Sequence, residues 1–169
     1  MKYLIVYSSR TGNTRQLAEA IREMLPEEDC LYYGQPGDEA VEKAEHAGLV
    51  FAGFWTDRGS CDAGMADFLQ KCGPKYFFLF GTAGFGGSDE YYGQILGNVR
   101  KNLSGAARLL GSFVCQGQMP DAVRQRYQAM EPSENRDRML DNFDRAVGHP
   151  DAVDIARLKE AVRGLNWTE

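Results

Sequence analysis

Four hydroxyl side chains and one glycine fall within seven residues near the start of the chain, in Ser8-Ser9-Arg10-Thr11-Gly12-Asn13-Thr14. They follow an apolar run, Tyr3-Leu4-Ile5-Val6-Tyr7, and precede a helical pattern. A strand that ends in such a turn and opens a helix points several backbone N–H groups at one spot, where the helix dipole also favours negative charge. The chemistry this suits is the grip of a phosphate. It is not a Walker loop, because no Lys follows the glycine, and it lacks the three spaced glycines of a dinucleotide fingerprint. The hydroxyls of Ser8, Ser9, Thr11 and Thr14 suit a phosphate bound with little cationic help. An ordinary capped turn needs only one such residue, Thr11 or Asn13 as N-cap, and the cluster exceeds that need.

Two later segments carry an aromatic among small residues: Gly53-Phe54-Trp55-Thr56-Asp57-Arg58-Gly59-Ser60 and Gly81-Thr82-Ala83-Gly84-Phe85-Gly86-Gly87-Ser88-Asp89. Small residues let backbone approach a flat ligand while a ring lies against its face. The alternative for Trp55 and Phe85 is that they cap the core at the end of a sheet. With the phosphate cradle, the implied ligand is a planar heterocycle tethered to one phosphate.

The elements that must position these segments alternate along the chain. Apolar runs at 2–7, about 29–33, 48–54, 75–81 and about 110–116 are short and nearly continuous, the pattern of strands buried on both faces. Helical stretches lie near 13–25, 38–46, 62–72 and 89–103. In the first, Leu17, Ile21, Met24 and Leu25 recur at helical spacing until Pro26 stops it. This alternation predicts an α/β fold, a doubly wound five-stranded parallel sheet whose ligands bind beyond the carboxyl ends of the strands. The 169 residues are read as a single domain with a core over 1–117 and a helical part over 118–169. Beyond Gly117, charged amphipathic helices are expected at about 121–131, 134–147 and 151–165, separated by Glu131-Pro132-Ser133 and Gly148-His149-Pro150. One helix would cover the last sheet face; the surplus is read as a solvated face, with a docking surface or a flap beside the ligand as alternatives.

Composition narrows the function classes. Hydrophobic residues make up 43% and charged residues 25%, as in soluble globular proteins, and the formal net charge of -5 argues against nucleic acid as a partner. No apolar stretch approaches the length of a membrane span, and the first residues read as a strand and not a leader, so the expected setting is the cytoplasm. Cys30, Cys61, Cys72 and Cys115 form no Cys-x-x-Cys pair and are read as reduced thiols, with no metal site expected. No catalytic acid, base or nucleophile stands out: His46 and His149 read as structural, and Cys61 as a small packing residue.

Ser9-Arg10-Thr11-Gly12-Asn13-Thr14 resembles the phosphate-binding loop of flavodoxins, and the order of elements up to about Gln116 is similar to theirs. The resemblance implies the flavodoxin-like strand order 2-1-3-4-5 and flavin mononucleotide (FMN) as cofactor. It implies that the hydroxyls of Ser9, Thr11 and Thr14 and the amides of Gly12 and Asn13 hold the phosphate, with Arg10 either a partner of that phosphate or solvent-facing. Trp55, Thr56, Asp57 and Gly59 match the central loop of a subgroup of flavodoxin-like proteins. Thr82, Ala83, Gly84 and Phe85 match the loop that presents amides and an aromatic to the ring, with Tyr91 or Tyr92 as alternative sources of that aromatic. Gln116 and Gly117 border the pocket by the same resemblance. Family precedent further implies that a peptide at Gly59 turns its carbonyl toward the one-electron-reduced ring. Asp57, Asp62 and Asp89 would then disfavour the second electron, while Arg58 is either a partner of the ring edge or a solvated arginine.

Three functions are expected to compete. The favoured one is an electron carrier between a reductase and an electron-accepting enzyme, with no small substrate of its own. The others are an FMN-dependent NAD(P)H:quinone-type oxidoreductase and a non-catalytic flavin-binding module.

Overall fold

The computed structural model describes residues 1–166. Five parallel strands form the main sheet: β1 (Tyr3–Tyr7), β2 (Cys30–Gly34), β3 (Leu49–Asp57), β5 (Tyr76–Ala83) and β6 (Arg108–Gln116), in the order β2-β1-β3-β5-β6. A short sixth strand, β4 (Ser60–Cys61), pairs antiparallel with the end of β3. Leaving β4 aside, this is the order 2-1-3-4-5 expected of a flavodoxin-like sheet.

The strands read as continuous apolar runs because both faces are covered. Tyr3, Ile5, Leu49, Phe51, Phe78 and Phe80 point to one face, and helix α1 (Asn13–Met24) covers it with Leu17 and Ile21. Leu4, Val6, Val50, Ala52, Phe77 and Leu79 point to the other, under Met65, Phe68 and Leu69 of α3 (Ala63–Lys71) and Ile95 and Val99 of α4 (Asp89–Arg100). The short α2 (Asp38–Ala44) adds Ala40 and Ala44 to that second layer. Asp62 and Ser88 cap α3 and α4 by accepting the amides of Met65 and Tyr91, which fixes where each chain segment leaves its loop.

In the middle of the sheet, glycine and phenylalanine pair reciprocally: Gly53 lies opposite Phe80, and Phe54 opposite Gly81. A Cβ at Gly53 would stand 2.4 Å from Phe80 Cε2 and Cζ, and one at Gly81 would stand 2.5 Å from the same atoms of Phe54. These two glycines make room for core rings, not for a ligand as their loops suggested. The expected third strand also ended too early. Trp55, Thr56 and Asp57 continue β3, and Arg58-Gly59, at φ 50 and 77, closes a two-residue hairpin into β4. Positive φ at both central residues is the signature of the turn that matches strand twist.

The C-terminal part forms three helices, α5 (Asp121–Gln128), α6 (Glu134–Ala146) and α7 (Ala152–Arg163). Helix α7 completes the α1 face with Leu158 and Val162. It starts with a capping box in which Asp151 and Asp154 exchange side-chain and backbone bonds. Helices α5 and α6 pack on each other around Tyr127 and Phe143, and Arg124 Nε meets Asp144 Oδ1 at 3.0 Å. Positions 167–169 of the expected helical segment lie outside the described residues.

Candidate functional site

The parallel register brings the carboxyl ends of β1, β3, β5 and β6 to one edge, and a cavity of about 300 Å³ opens there. Arg10, Thr11 and Asn13 from the first junction line it, with Trp55 and Thr56 from β3 and Thr82, Gly84 and Phe85 from the end of β5 and beyond. The Arg10 guanidinium lies 5.4 Å from the centre of the Trp55 ring. Trp55 is half-buried, whereas Phe85 is 42% exposed at the mouth. Thr56 Oγ1 is buried without a hydrogen-bond partner. A buried hydroxyl in that state costs free energy unless a ligand atom meets it.

The first junction is built differently from an ordinary cap. Gly12, at φ 92, occupies the N-cap position of α1 and makes no side-chain cap. Ser9 Oγ accepts the amides of Gly12 and Arg15 at 3.1 and 3.4 Å, folding the loop back on itself. The Thr14 side chain turns inward: its Oγ1 donates to the Phe54 carbonyl at 3.1 Å and lies 3.1 Å from Thr82 Oγ1. Thr14 thus ties the start of α1 to the ends of β3 and β5. The Asn13 side chain donates to the Gln118 carbonyl at 2.9 Å, tying this loop to the one after β6.

Other expected positions fall elsewhere. Asp57 and Gly59 sit in the hairpin, where Asp57 is exposed and the Gly59 carbonyl accepts Asn98 Nδ2 of α4 at 2.9 Å. Arg58 is exposed at the same turn, and Asp62 is buried as the cap of α3. Ala83 is buried behind the wall, its carbonyl accepting the amide of Gly117. Tyr91 packs near Gly87, and Tyr92 lines a separate cavity along the outer edge of β6 with Asp89.

Much of the wall comes from residues whose role the sequence did not show. Gln118, Met119 and Pro120 follow β6, and Val123 and Arg126 project from α5. For Gln118, Met119 and Pro120 the signal was position just past a strand end; for Val123 and Arg126 it was the expected helix at about 121–131, for which a flap beside the ligand was one alternative. The loop after β5 is held from α6: Asn142 Oδ1 accepts the Gly86 amide at 2.9 Å, and Asn142 Nδ2 donates to the Gly84 carbonyl at 3.0 Å. Gln116 Nε2 reinforces this bridge, 3.2 Å from Asn142 Oδ1. The loop after β6 is held from the α7 side, where the His149 carbonyl accepts the Gln118 amide and Gln118 Oε1 accepts the Gly148 amide.

Comparison with known proteins settles the family. A flavodoxin-domain family model matches residues 4–163. The chain belongs to the flavodoxin-domain family. A relative, the flavodoxin-like domain-containing protein BilS of Clostridium symbiosum (strain WAL-14163), is 42% identical over 173 residues, spanning 92% of this chain and 91% of its own. Among solved structures, an NADH:FMN oxidoreductase in its apo form shares the fold at a TM-score of 0.54 and 16% identity, covering 86% of this chain and 88% of its own. A short-chain flavodoxin associated with a bacterial microcompartment does so at 0.52 and 17%, covering 90% and 100%. Identities this low speak for the fold alone.

Within this flavodoxin-domain chain, the remaining reactive side chains lie off the cavity. His149 Nδ1 is 2.6 Å from Asp154 Oδ2, which also accepts the Asp151 amide. The ligand atoms of these three residues lie within 4.8 Å of one another, but they serve the start of α7. Burial pushes the Cys61 thiol up to about 11 and Cys72 to about 12, and raises Cys115 as well. Thiols so raised stay protonated and unreactive at neutral pH. Among the described residues no helix is long and apolar enough to cross a membrane.

Proposed function

We propose that the cavity at the strand ends holds FMN and that the protein carries electrons between a reductase and an electron-accepting enzyme. The observation that carries the reading is Thr56 Oγ1, a buried hydroxyl without a partner on a cavity that the phosphate-cradle loop also lines. Membership of the flavodoxin-domain family supports the same ligand.

In this reading Thr11, Asn13 and the amides of the first junction take the phosphate, with Ser9 and Thr14 holding the loop in shape. Trp55, Thr56, Thr82 and Gly84 line the ring, and Phe85 stands exposed at the mouth where a partner protein would approach. When bound, the flavin supplies a centre that accepts and gives electrons singly or in pairs. The chain's own part is to bind, orient and screen it from water. Among the described residues the cavity lining contains Arg, Thr, Asn and Gln but no His, Cys, Asp or Glu. No side chain there passes a proton near neutral pH, which favours a carrier over an enzyme that transforms a substrate.

One observation favours the second reading, an FMN-dependent NAD(P)H:quinone-type oxidoreductase. A further cavity of about 600 Å³ shares Phe85 with the first and lies between the loop after β5 and α6, offering space for a small substrate. The test is direct. Purified protein loaded with FMN is expected to show a shifted flavin spectrum and quenched fluorescence, and to oxidise NADH or NADPH only slowly with a quinone as acceptor. Rapid turnover would replace the carrier with the oxidoreductase. No quenching at excess FMN would remove both.

A further inference from the structure

Five arginines on the surface of this protein are matched to acids. Arg15 pairs with Glu19, Arg22 with Glu27, Arg124 with Asp144, Arg138 with Glu134 and Arg145 with Asp141. Among the arginines that form no ion pair among the described residues, Arg10 and Arg126 stand together on the wall of the candidate cofactor cavity. They reach the cavity from opposite ends of the chain, one from the junction after β1 and the other from α5. Each guanidinium lies against an aromatic ring, Arg10 over Trp55 at 5.4 Å and Arg126 over Tyr127 at 6.0 Å.

Two like charges on the wall of one cavity of about 300 Å³ repel each other, and in a chain of net charge -5 the local positive excess is at odds with the whole. One anionic group on the ligand relieves both. Oxidised flavin is a neutral ring, so the phosphate is the part of FMN that answers this charge. From this we infer that Arg126, on a helix beyond the minimal sheet, acts with Arg10 as a cationic clamp that selects a phosphate-bearing flavin over the same ring without phosphate. This inference rests on the flavin reading above. It gives α5 a task in ligand choice, and it departs from the expectation of a phosphate bound with little cationic help.

Arg126 is exposed and forms no ion pair among the described residues, so replacing it is expected to leave the fold intact, which the urea midpoint of each apoprotein checks. The experiment titrates wild type, Arg126→Gln and Arg126→Lys with FMN and with riboflavin, following flavin fluorescence at low and at high salt. Arg126→Gln is expected to weaken FMN binding about five-fold, the size of a well-placed exposed ion pair, and to leave riboflavin binding unchanged. Arg126→Lys should recover part of the loss by restoring charge without the planar fork. The salt dependence of FMN binding should be shallower in Arg126→Gln than in wild type. Equal weakening of FMN and riboflavin, or no change for FMN, overturns the clamp while leaving the flavin reading standing. Wild-type protein that binds neither flavin overturns that reading and the clamp with it.

Discussion

Thr11 and Thr14 look interchangeable in the sequence, three residues apart in one hydroxyl-rich turn, yet the structure gives them different work. Thr14 is 1% exposed and its hydroxyl bridges the Phe54 carbonyl and Thr82 Oγ1, both at 3.1 Å. Thr14→Val keeps the shape and removes both bonds, stranding two polar atoms in the interior. At about 1 kcal/mol for each lost bond, the apoprotein should lose about 2 kcal/mol. For a chain of this size that is a fall of roughly 4–8 °C in Tm, or about 1 M in urea midpoint. Thr11 is exposed and lines the cavity, so Thr11→Ala should leave apoprotein stability within about 0.5 kcal/mol. It should weaken FMN binding by roughly 1–2 kcal/mol, or about 5- to 30-fold. The assay is urea denaturation of both apoproteins beside FMN titration of each. Thr14→Val protein of unchanged stability that has lost FMN affinity would refute the division, and would return the Thr14 hydroxyl to the phosphate.

Four further outcomes are expected. Asn142→Ala frees the loop after β5 at Gly84 and Gly86 and should lower FMN affinity about five-fold in the same titration, with full affinity counting against a latch from α6. Gly81→Ala drives a Cβ to 2.5 Å from the Phe54 ring and should destabilise the protein by about 1–3 kcal/mol; adding Phe54→Leu should restore part of this, and a Tm insensitive to Gly81→Ala would disprove the close approach. The hydrogen bond from Arg124 holds the Asp144 carboxyl below its ordinary value, so its contribution is present above about pH 4 and is lost as pH falls through the lowered value. Limited proteolysis of α5 and α6 should therefore be flat from pH 7 to about 4 and rise below it, whereas loosening between pH 7 and 5 would point to another group. Burial keeps Cys61, Cys72 and Cys115 as thiols, so native protein at pH 8 should alkylate slowly at these positions until unfolded, and fast labelling read by peptide mass would contradict their placement.

Local rules carried the sheet and its first helix well. Leu17 and Ile21 at helical spacing, Pro26 as a stop, and five apolar runs lead to α1 and the five main strands, because each depends on neighbours in the chain; the order of the strands followed from the resemblance to flavodoxins. The hairpin at Arg58-Gly59 was read as loop, since an aromatic beside glycine looks like a binding turn when cross-strand partners are unknown. Gly53 and Gly81 were misread for the same reason: what fills the space beside them is Phe80 and Phe54, set by register between strands. Trp55, Phe85 and the first junction do share one cavity, because the strand order places their loops together. Arg126 and Asn142 were not legible as site residues. Their helices announced themselves by periodicity, but the wall they face is decided by tertiary packing.

The bonds from Asn13 to Gln118, from Gln118 to Gly148 and His149, and from Asn142 to Gly84 and Gly86 run from the earliest loops to the last third of the polypeptide. The sheet ends with β6 at Gln116, so every strand precedes the residues that finish the cavity: Val123 and Arg126 on its wall and Asn142 behind the loop after β5.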